Sequence, residues 1–436
     1  MQRVSQRGYS LFRDTFTRPR RQGLCLCLLF TLMTACGSPH RESPCLRQVN
    51  DNGFGDDWNC YAWSMAPFGD HLYVGTLNAN LWGDPIGAID AANLMDAVSK
   101  GTEIWRFDGH NWEQVVDNGF KGNGNNAGTR NLFEYKGMLY AGTVNYAEGC
   151  EVWRTADGET WEPIMQGGFG SQLSGSVRGM AKYKNLLYVG VENVFEGAQL
   201  YTWDGASWTK IANGGIGNPL NFSVADMLVW KGLLYLFTWN ALGLEIYTYD
   251  GSTFECICGV GGPNPPGLSQ TTNMGVMGVA IFNDRLYLGT ADLLFGADLF
   301  RTDDGKNWVQ LINNGFSDQR QAYIWRMKEY RGDLYMGTFH EGHFPLFLHE
   351  GGRLYRMDPQ ERFEELVGPD GLLMDEGFGD WMNYGMRTLS VFNEKLYIGT
   401  AQFFLSPWQR KGLEIWEFDP DAQGRSLKTS DGRSVE

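Results

Sequence analysis

The chain has 436 residues, among them 57 Gly, with 14% aromatic residues and 51 acidic against 36 basic side chains, a formal net charge of −15. That length holds one large all-β domain or two to three ordinary ones, and abundant glycine and aromatics without a long helical period suit short strands joined by tight turns. An acidic balance of this size repels nucleic acid and anionic lipid at long range and favours cationic or neutral partners.

The first elements are not part of the fold. Arg18, Arg20 and Arg21 precede the apolar run GLCLCLLFTLMTAC, which has the length of a secretory h-region and is too short to span a bilayer as a mature helix. Its end, MTAC at Met33–Cys36, resembles a bacterial lipobox with Met33 in place of the usual Leu. The resemblance implies a signal peptide over residues 1–35, acylation of Cys36, and a short tether over residues 36–45; cleavage by an ordinary signal peptidase is the alternative. Without residues 1–35 the chain keeps 30 basic and 50 acidic side chains, a net charge of −20. Gly37, where an Asp would retain a lipoprotein at the inner membrane, points to the outer membrane of the cell envelope. Cys45, Cys60, Cys150, Cys256 and Cys258 remain, an odd number for an oxidising compartment, and spacing leaves their pairing open. Cys256 and Cys258 lack a second CxC or a nearby His and read as alternate strand positions.

A repeat then begins with its own ending. QVNDNGFG at Gln48–Gly55 returns as VVDNGF at Val115–Phe120, IMQGGFG at Ile164–Gly170 and LINNGF at Leu311–Phe316. A second phrase, LYVGT and its relatives, places tyrosines at Tyr73, Tyr140, Tyr188, Tyr235, Tyr287, Tyr335 and Tyr397, 67, 48, 47, 52, 48 and 62 residues apart. Each is followed by a phrase of the type EVWRTADG. In the second unit RNLFEY, MLYAGT, EVWRT and WEPIMQ read as strands A, B, C and D. Short Lys-Gly, Lys-Asn or Asn-Asp turns join A to B, and Asp-Gly turns join C to D. Self-similarity at this period predicts an all-β fold, a single seven-bladed β-propeller over residues 46–420 with four antiparallel strands per blade. The seventh unit stops at Pro420 without a D strand, so LRQVNDNGF at Leu46–Phe54 must supply it. That closes the ring and removes open sheet edges. Residues 421–436 form a polar, disordered tail.

The rhythm of these phrases resembles Kelch repeats: an Arg-led strand, a Gly turn after LY, a Tyr or Trp strand, then Asp and Trp. It covers roughly Leu46 to Pro420 and departs at the second glycine, which is Thr76, Thr143, Val191 or Thr338. TADGETW and TDDGKNW look like Asp-box turns of sialidase-type propellers, one residue short. Both resemblances imply the fold and carry over no catalytic residue; the Tyr–Cys and paired His of a Kelch-like copper oxidase are not found.

Loop lengths choose a working face. A–B and C–D turns are short and share one face, whereas B–C and D–A connections vary widely and share the other, where binding is expected. Eight tether residues reach at most roughly 30 Å, so the short-turn face is expected toward the membrane. Positions alike in every unit read as architecture. The acid before strand C (Glu103, Glu151, Glu245, Asp298, Glu414, broken by Gln199 and Arg353) is expected to bond loop backbone. Ten residues before each tyrosine the column runs Trp63, Arg130, Arg178, Ala225, Met277, Trp325 and Arg387. Arg forks with carboxylates or sulfates and Trp offers a stacking surface, with Trp381 and Tyr384 nearby; alternatively the Arg bond the acid column and the Trp pack between blades. His340, Glu341 and His343, with His349, form a candidate metal or acid–base group in the sixth unit, or simply loop histidines. Phe344, Leu346 and Phe347, with Phe403, Phe404, Leu405 and Trp408, and Trp82 beside a short helix begun by Asp90, form candidate partner loops.

Three functions compete. The first is a noncatalytic, lipid-anchored binder of a glycan or envelope protein, with Trp63, Arg130, Arg178, Trp325, Arg387 and Trp381 at the channel mouth, bound to the membrane only through its lipid. The second is a polysaccharide lyase in which Arg neutralises a uronate and His340, His343 or Tyr384 abstracts the proton. The third is an envelope scaffold. No GxSxG, Walker, zinc or EF-hand pattern occurs, and neither a metal nor another cofactor is expected.

Overall fold

The computed structural model describes residues 43–79, 99–341, 350–402 and 411–422. The expected signal segment, Cys36, the expected tether up to residue 42, Trp82, Asp90, His343, His349, the apolar stretches 344–347 and 403–408 and the expected tail from 423 lie outside the described residues.

The described chain is all-β, with 28 strands in one hydrogen-bonded system whose strand pairs are antiparallel. In the second unit strand A, Gly128–Tyr135, pairs with B, Met138–Val144; B pairs with C, Val152–Thr155; and C pairs with D, Glu162–Met165. The A–B turn is the two-residue Lys136-Gly137, with φ of 52° and 72°. Two positive φ values match the twist of the flanking strands, which is why Lys-Gly, Lys-Asn and Asn-Asp recur at these turns. The A strands lie beside one another in order, and the last, Asn383–Phe392, contacts the first, Asn59–Phe68. The end of each B strand reaches the next A strand, as in Leu77 opposite Gly128 and Phe339 opposite Gly385, and Ala401 stands opposite Tyr61.

The N-terminal strand answers the question raised by the repeat. Leu46–Gln48 pairs with Ile415–Phe418, Leu46 opposite Phe418, and the Val49 and Gly53 amides continue to the Ile415 and Leu413 carbonyls at 2.9 and 2.8 Å.

The NGF phrase fastens consecutive units. Phe54, Phe120, Phe169, Phe316 and Phe378 all take positive φ, between 56° and 65°, a conformation unfavourable for an L-residue with a large side chain. Each is held there by stacking on the C-strand aromatic of the following unit. Phe54 lies 4.6 Å from Trp105, Phe120 4.8 Å from Trp153 and Phe316 3.9 Å from Tyr355, all nearly parallel. Beneath this stack lies a buried polar network. The Thr near the end of strand B accepts the backbone N–H of the column acid: Thr76 from Glu103 at 2.9 Å, Thr143 from Glu151 at 2.8 Å, Thr400 from Glu414 at 2.8 Å. The carboxylate accepts from an Asn and from the C-strand Trp, Glu151 from Asn126 and Trp153 at 2.7 Å each. The same Asn126 amide donates to the Gly119 carbonyl of the NGF phrase at 2.8 Å. The acids thus reach the loop backbone mostly through an asparagine, a correction to the direct bond expected from sequence; only contacts such as Val260 N–H to Glu245 at 3.1 Å are direct. The five cysteines after residue 42 are separate thiols.

Asn126→Ala leaves the Gly119 carbonyl and Glu151 buried without their donor, and an unsatisfied buried group costs about 1–3 kcal/mol. Urea unfolding of this variant is expected to show a loss of at least that size, with an unchanged midpoint arguing against the network.

Candidate functional site

Counting back from the tyrosines locates a β-bulge in every unit. Pairing between strands A and B slips between Ala62 and Ser64, Thr129 and Asn131, Val177 and Gly179, Val224 and Asp226, Val276 and Gly278, Ile324 and Arg326, and Met386 and Thr388. The residue skipped each time is the column residue. A bulged residue is unpaired and re-aimed, so the column and its next neighbour can both face the space enclosed by the A strands. A cavity of about 190 Å³ there is lined by Trp63, Ser64, Arg130, Asp226, Arg326 and Thr388, among others.

Asp226 and Arg326, which strict alternation would turn away from the column, therefore join it. Their side chains meet across the cavity at 2.7 Å. The column arginines do not bond the acid column. Arg178 lies 3.4 Å from Glu192, which also accepts the Tyr146 hydroxyl at 2.6 Å. Arg130 sits 4.8 Å above the Trp63 ring, and Arg387 5.1 Å above Trp325. Burial first and the Arg178 charge second push the Arg130 guanidinium down to about 9, still cationic at neutral pH. Arg387 is held well below the usual arginine range, chiefly by burial and then by Arg326, Arg130 and Arg178.

Trp63 and Trp325 are packed rather than open, 8% and 5% exposed. Each lies on a glycine of the next unit: a Cβ on Gly128 would come 2.2 Å from the Trp63 ring, and one on Gly385 2.3 Å from Trp325. With Tyr61, Met277, Tyr384 and Met382, and with Trp239, Tyr323, Phe339 and Trp381 packed alongside, they form one apolar cluster. Tyr384 is buried there with its hydroxyl on that of Tyr61, and burial raises its phenol well above the ordinary value. That disfavours the phenolate that a proton-abstracting tyrosine would need.

His340 is fully buried at the end of strand Asp333–His340, its Nε2 2.8 Å from Glu350. Asp318 joins them, the three ligand atoms lying within 4.8 Å of one another. Two guanidiniums already serve these acids: Arg353 reaches Asp318 at 2.6 Å, and Arg320 reaches Glu350 at 3.3 Å. The donor set fits an ion-pair network better than a dication. Arg353 is the residue that breaks the acid column, and Asp318 and Glu376, 3.7 Å away, compensate its charge.

The loop face carries a feature that sequence reading passed over. Apart from Ile281 and Val309, every exposed large hydrophobic side chain among the described residues lies in a B–C or D–A loop. The tips are Tyr146, Val194, Phe195, Leu242, Leu294 and Phe295 on the short B–C turns, with Leu173, Leu220, Val260 and Leu372 on D–A loops. Phe195 is 79% exposed and Leu294 67%. These turns are rigidly based. Asn193 Oδ1 accepts the Phe195 and Glu196 amides at 3.2 and 2.8 Å, Asp292 those of Leu294 and Phe295 at 2.9 and 3.0 Å, and Asn240 reaches Asn221 of the buried network at 2.9 Å. The signal was present in sequence as NYAEG, NVFEG, NALG and DLLFG, but their shortness drew attention to longer loops.

No protein-family model matches the chain, and no curated protein matches it. Among solved structures it is similar to the extracellular domain of BT4673 from B. thetaiotaomicron (17% identity, TM-score 0.53), over 85% of this chain and 39% of that one, so it spans about two fifths of that domain. It is also similar to YCF48 from Cyanidioschyzon merolae (10%, TM-score 0.51, 86% and 99% of the two chains) and to the RRP9 WD40 repeats (10%, TM-score 0.50, 87% and 99%). Likeness at such identity shows the fold alone: the chain is a β-propeller.

Burial raises the Glu376 carboxyl to about 7, with Arg353 opposing. The folded state therefore holds a proton there between the unfolded value near 4.5 and pH 7, and this contribution to stability falls as pH rises through that window. Glu376→Gln is expected to gain roughly 1–3 kcal/mol over the parent at pH 8, shrinking toward zero near pH 5; urea titrations at both pH values measure it.

Proposed function

We propose that this chain is a noncatalytic docking propeller of the cell envelope, lipid-anchored at Cys36, which engages a protein partner through the face bearing the B–C and D–A loops. The ring is read as seven Kelch-like blades of four strands, closed by the N-terminal strand. Support for closure comes from the Leu46–Phe418 register and from the contact between the last and first A strands.

The observation that carries the docking reading is the gathering of exposed Phe, Leu and Val loop tips on one face, those of the B–C turns mounted on side-chain caps. Exposed apolar groups gathered on one surface mark an interaction site, and rigid presentation lowers the ordering cost of binding. A glycan would favour exposed Trp or Tyr faces flanked by hydrogen-bonding groups, whereas the tips are mostly aliphatic or Phe. Insertion into an anionic membrane is opposed by the strongly acidic chain. A catalytic reading lacks support from His340 and Tyr384, both buried and partnered. An outer-membrane location rests on the Cys36-Gly37 pair alone.

The test is site-specific photocrosslinking from positions 195 and 295 in the native envelope. Both positions are expected to capture the same protein, and a Phe195→Ser, Leu294→Ser, Phe295→Ser variant to lose it, about a tenfold or greater weakening, with unfolding unchanged. Retained capture by the triple variant, or a glycan-array hit indifferent to it, would overturn the reading. Separately, Cys36→Ser is expected to move the protein from the membrane to the soluble envelope fraction, read by fractionation and immunoblot.

A further inference from the structure

Two of the column arginines, Arg130 and Arg387, have no ion-pair partner among the described residues. Arg387 is 1% exposed, and its Nε and Nη1 have no hydrogen-bond partner among the described residues. Arg130 has a ring beneath it and no carboxylate partner among the described residues. The two nearby acids are already engaged, Asp226 by Arg326 at 2.7 Å and Glu192 by Arg178 and Tyr146. Four guanidiniums thus face two carboxylates, in a chain whose net charge is −15. A buried cation without a counter-charge is among the least favourable arrangements a fold can retain. Evolution could have placed Leu or Met at the bulge, as it placed Met277 in the fifth unit.

We propose that the axial cavity lined by Arg130, Arg326 and Thr388, the residue after Arg387, is a binding site for a single small oxyanion, a sulfate, phosphate or carboxylate group. The cavity of about 190 Å³ accommodates such a group and not a folded chain or an oligosaccharide. Guanidinium forks match the geometry of oxyanions and give their strongest hydrogen bonds to them. The Trp63 and Trp325 rings pack against the Arg130 and Arg387 guanidiniums, contacts that use the guanidinium face and no N–H donor. The proposal goes beyond the docking reading and is independent of it: it concerns the axis, whereas docking concerns the rim.

The full mature chain is titrated at constant ionic strength with sodium sulfate, phosphate, acetate and glucuronate, chloride serving as the reference. Tryptophan emission and thermal unfolding are followed, since Trp63 and Trp325 lie under the two arginines. A saturable emission change with a matching rise in Tm is expected for at least one oxyanion. Sulfate or phosphate alone would assign a free inorganic ion; acetate or glucuronate alone would assign the carboxylate of a larger ligand; either supports the site. Arg387→Met and Arg130→Gln are each expected to weaken binding at least about tenfold, and Arg387→Met to melt no lower than the parent in chloride, because it removes an uncompensated charge. If Arg387→Met does not fold, Arg130→Gln carries the comparison. No saturable response to any of the four anions, or an unchanged response in the folded variants, would overturn the proposal.

Discussion

The rest of the molecule depends on one buried relay: a threonine hydroxyl accepts the backbone N–H of an acid, the acid accepts an asparagine amide, and that amide also holds a glycine carbonyl of the NGF phrase. Each link lies on a different part of the unit: the end of strand B, the start of strand C, the start of strand A and the D–A loop. A polar network of this kind is costly when half satisfied and specific when complete. Satisfied, it fixes where strand B stops, where C starts and how the D–A loop enters the next unit. The sixth unit shows the constraint by exception. Once Arg353 stands in the acid's place, Asp318 comes from the preceding D–A loop to balance it, with the Glu376 carboxyl, raised to about 7 by burial, 3.7 Å away.

That scaffold separates two surfaces with different chemistry. On the rim, capped turns project apolar tips outward; the caps of the second and fourth units are tied to the relay itself, Asn145 to Asn126 and Asn240 to Asn221. On the axis, the bulged residues of the seven units are two Trp, three Arg, one Ala and one Met, and glycines of the neighbouring unit make room for the indoles. The two regions touch at Tyr146, whose ring is half exposed on the rim while its hydroxyl meets the Glu192 partner of Arg178.

Within each unit the hairpins were legible because their chemistry is local. Lys-Gly and Asn-Asp can adopt successive positive φ values that few other pairs tolerate, and the Asp of a C–D turn bonds amides two and three residues on, as Asp250 does with Ser252 and Thr253, with Asp358 reaching two and four residues on. The acid column read as architecture for the same reason of repetition. Its partners did not, since Asn126 and Glu151 are separated by a whole hairpin. Arg326 and Asp226 escaped because alternation along a strand assigns adjacent residues to opposite faces, and the bulge between Ile324 and Arg326 cancels that rule.

By itself the sequence determined the all-β repeat, the strand order within a unit, and the pairing of Leu46–Gln48 with the final strand, because period-two alternation and turn residues are set by backbone sterics over a few positions. Tertiary structure alone decided that Trp63 and Trp325 are packing groups, that His340 answers to Glu350, and that Arg387 is buried with no ion-pair partner among the described residues. Those outcomes depend on which side chains arrive from other units, distances no spacing within one strand encodes.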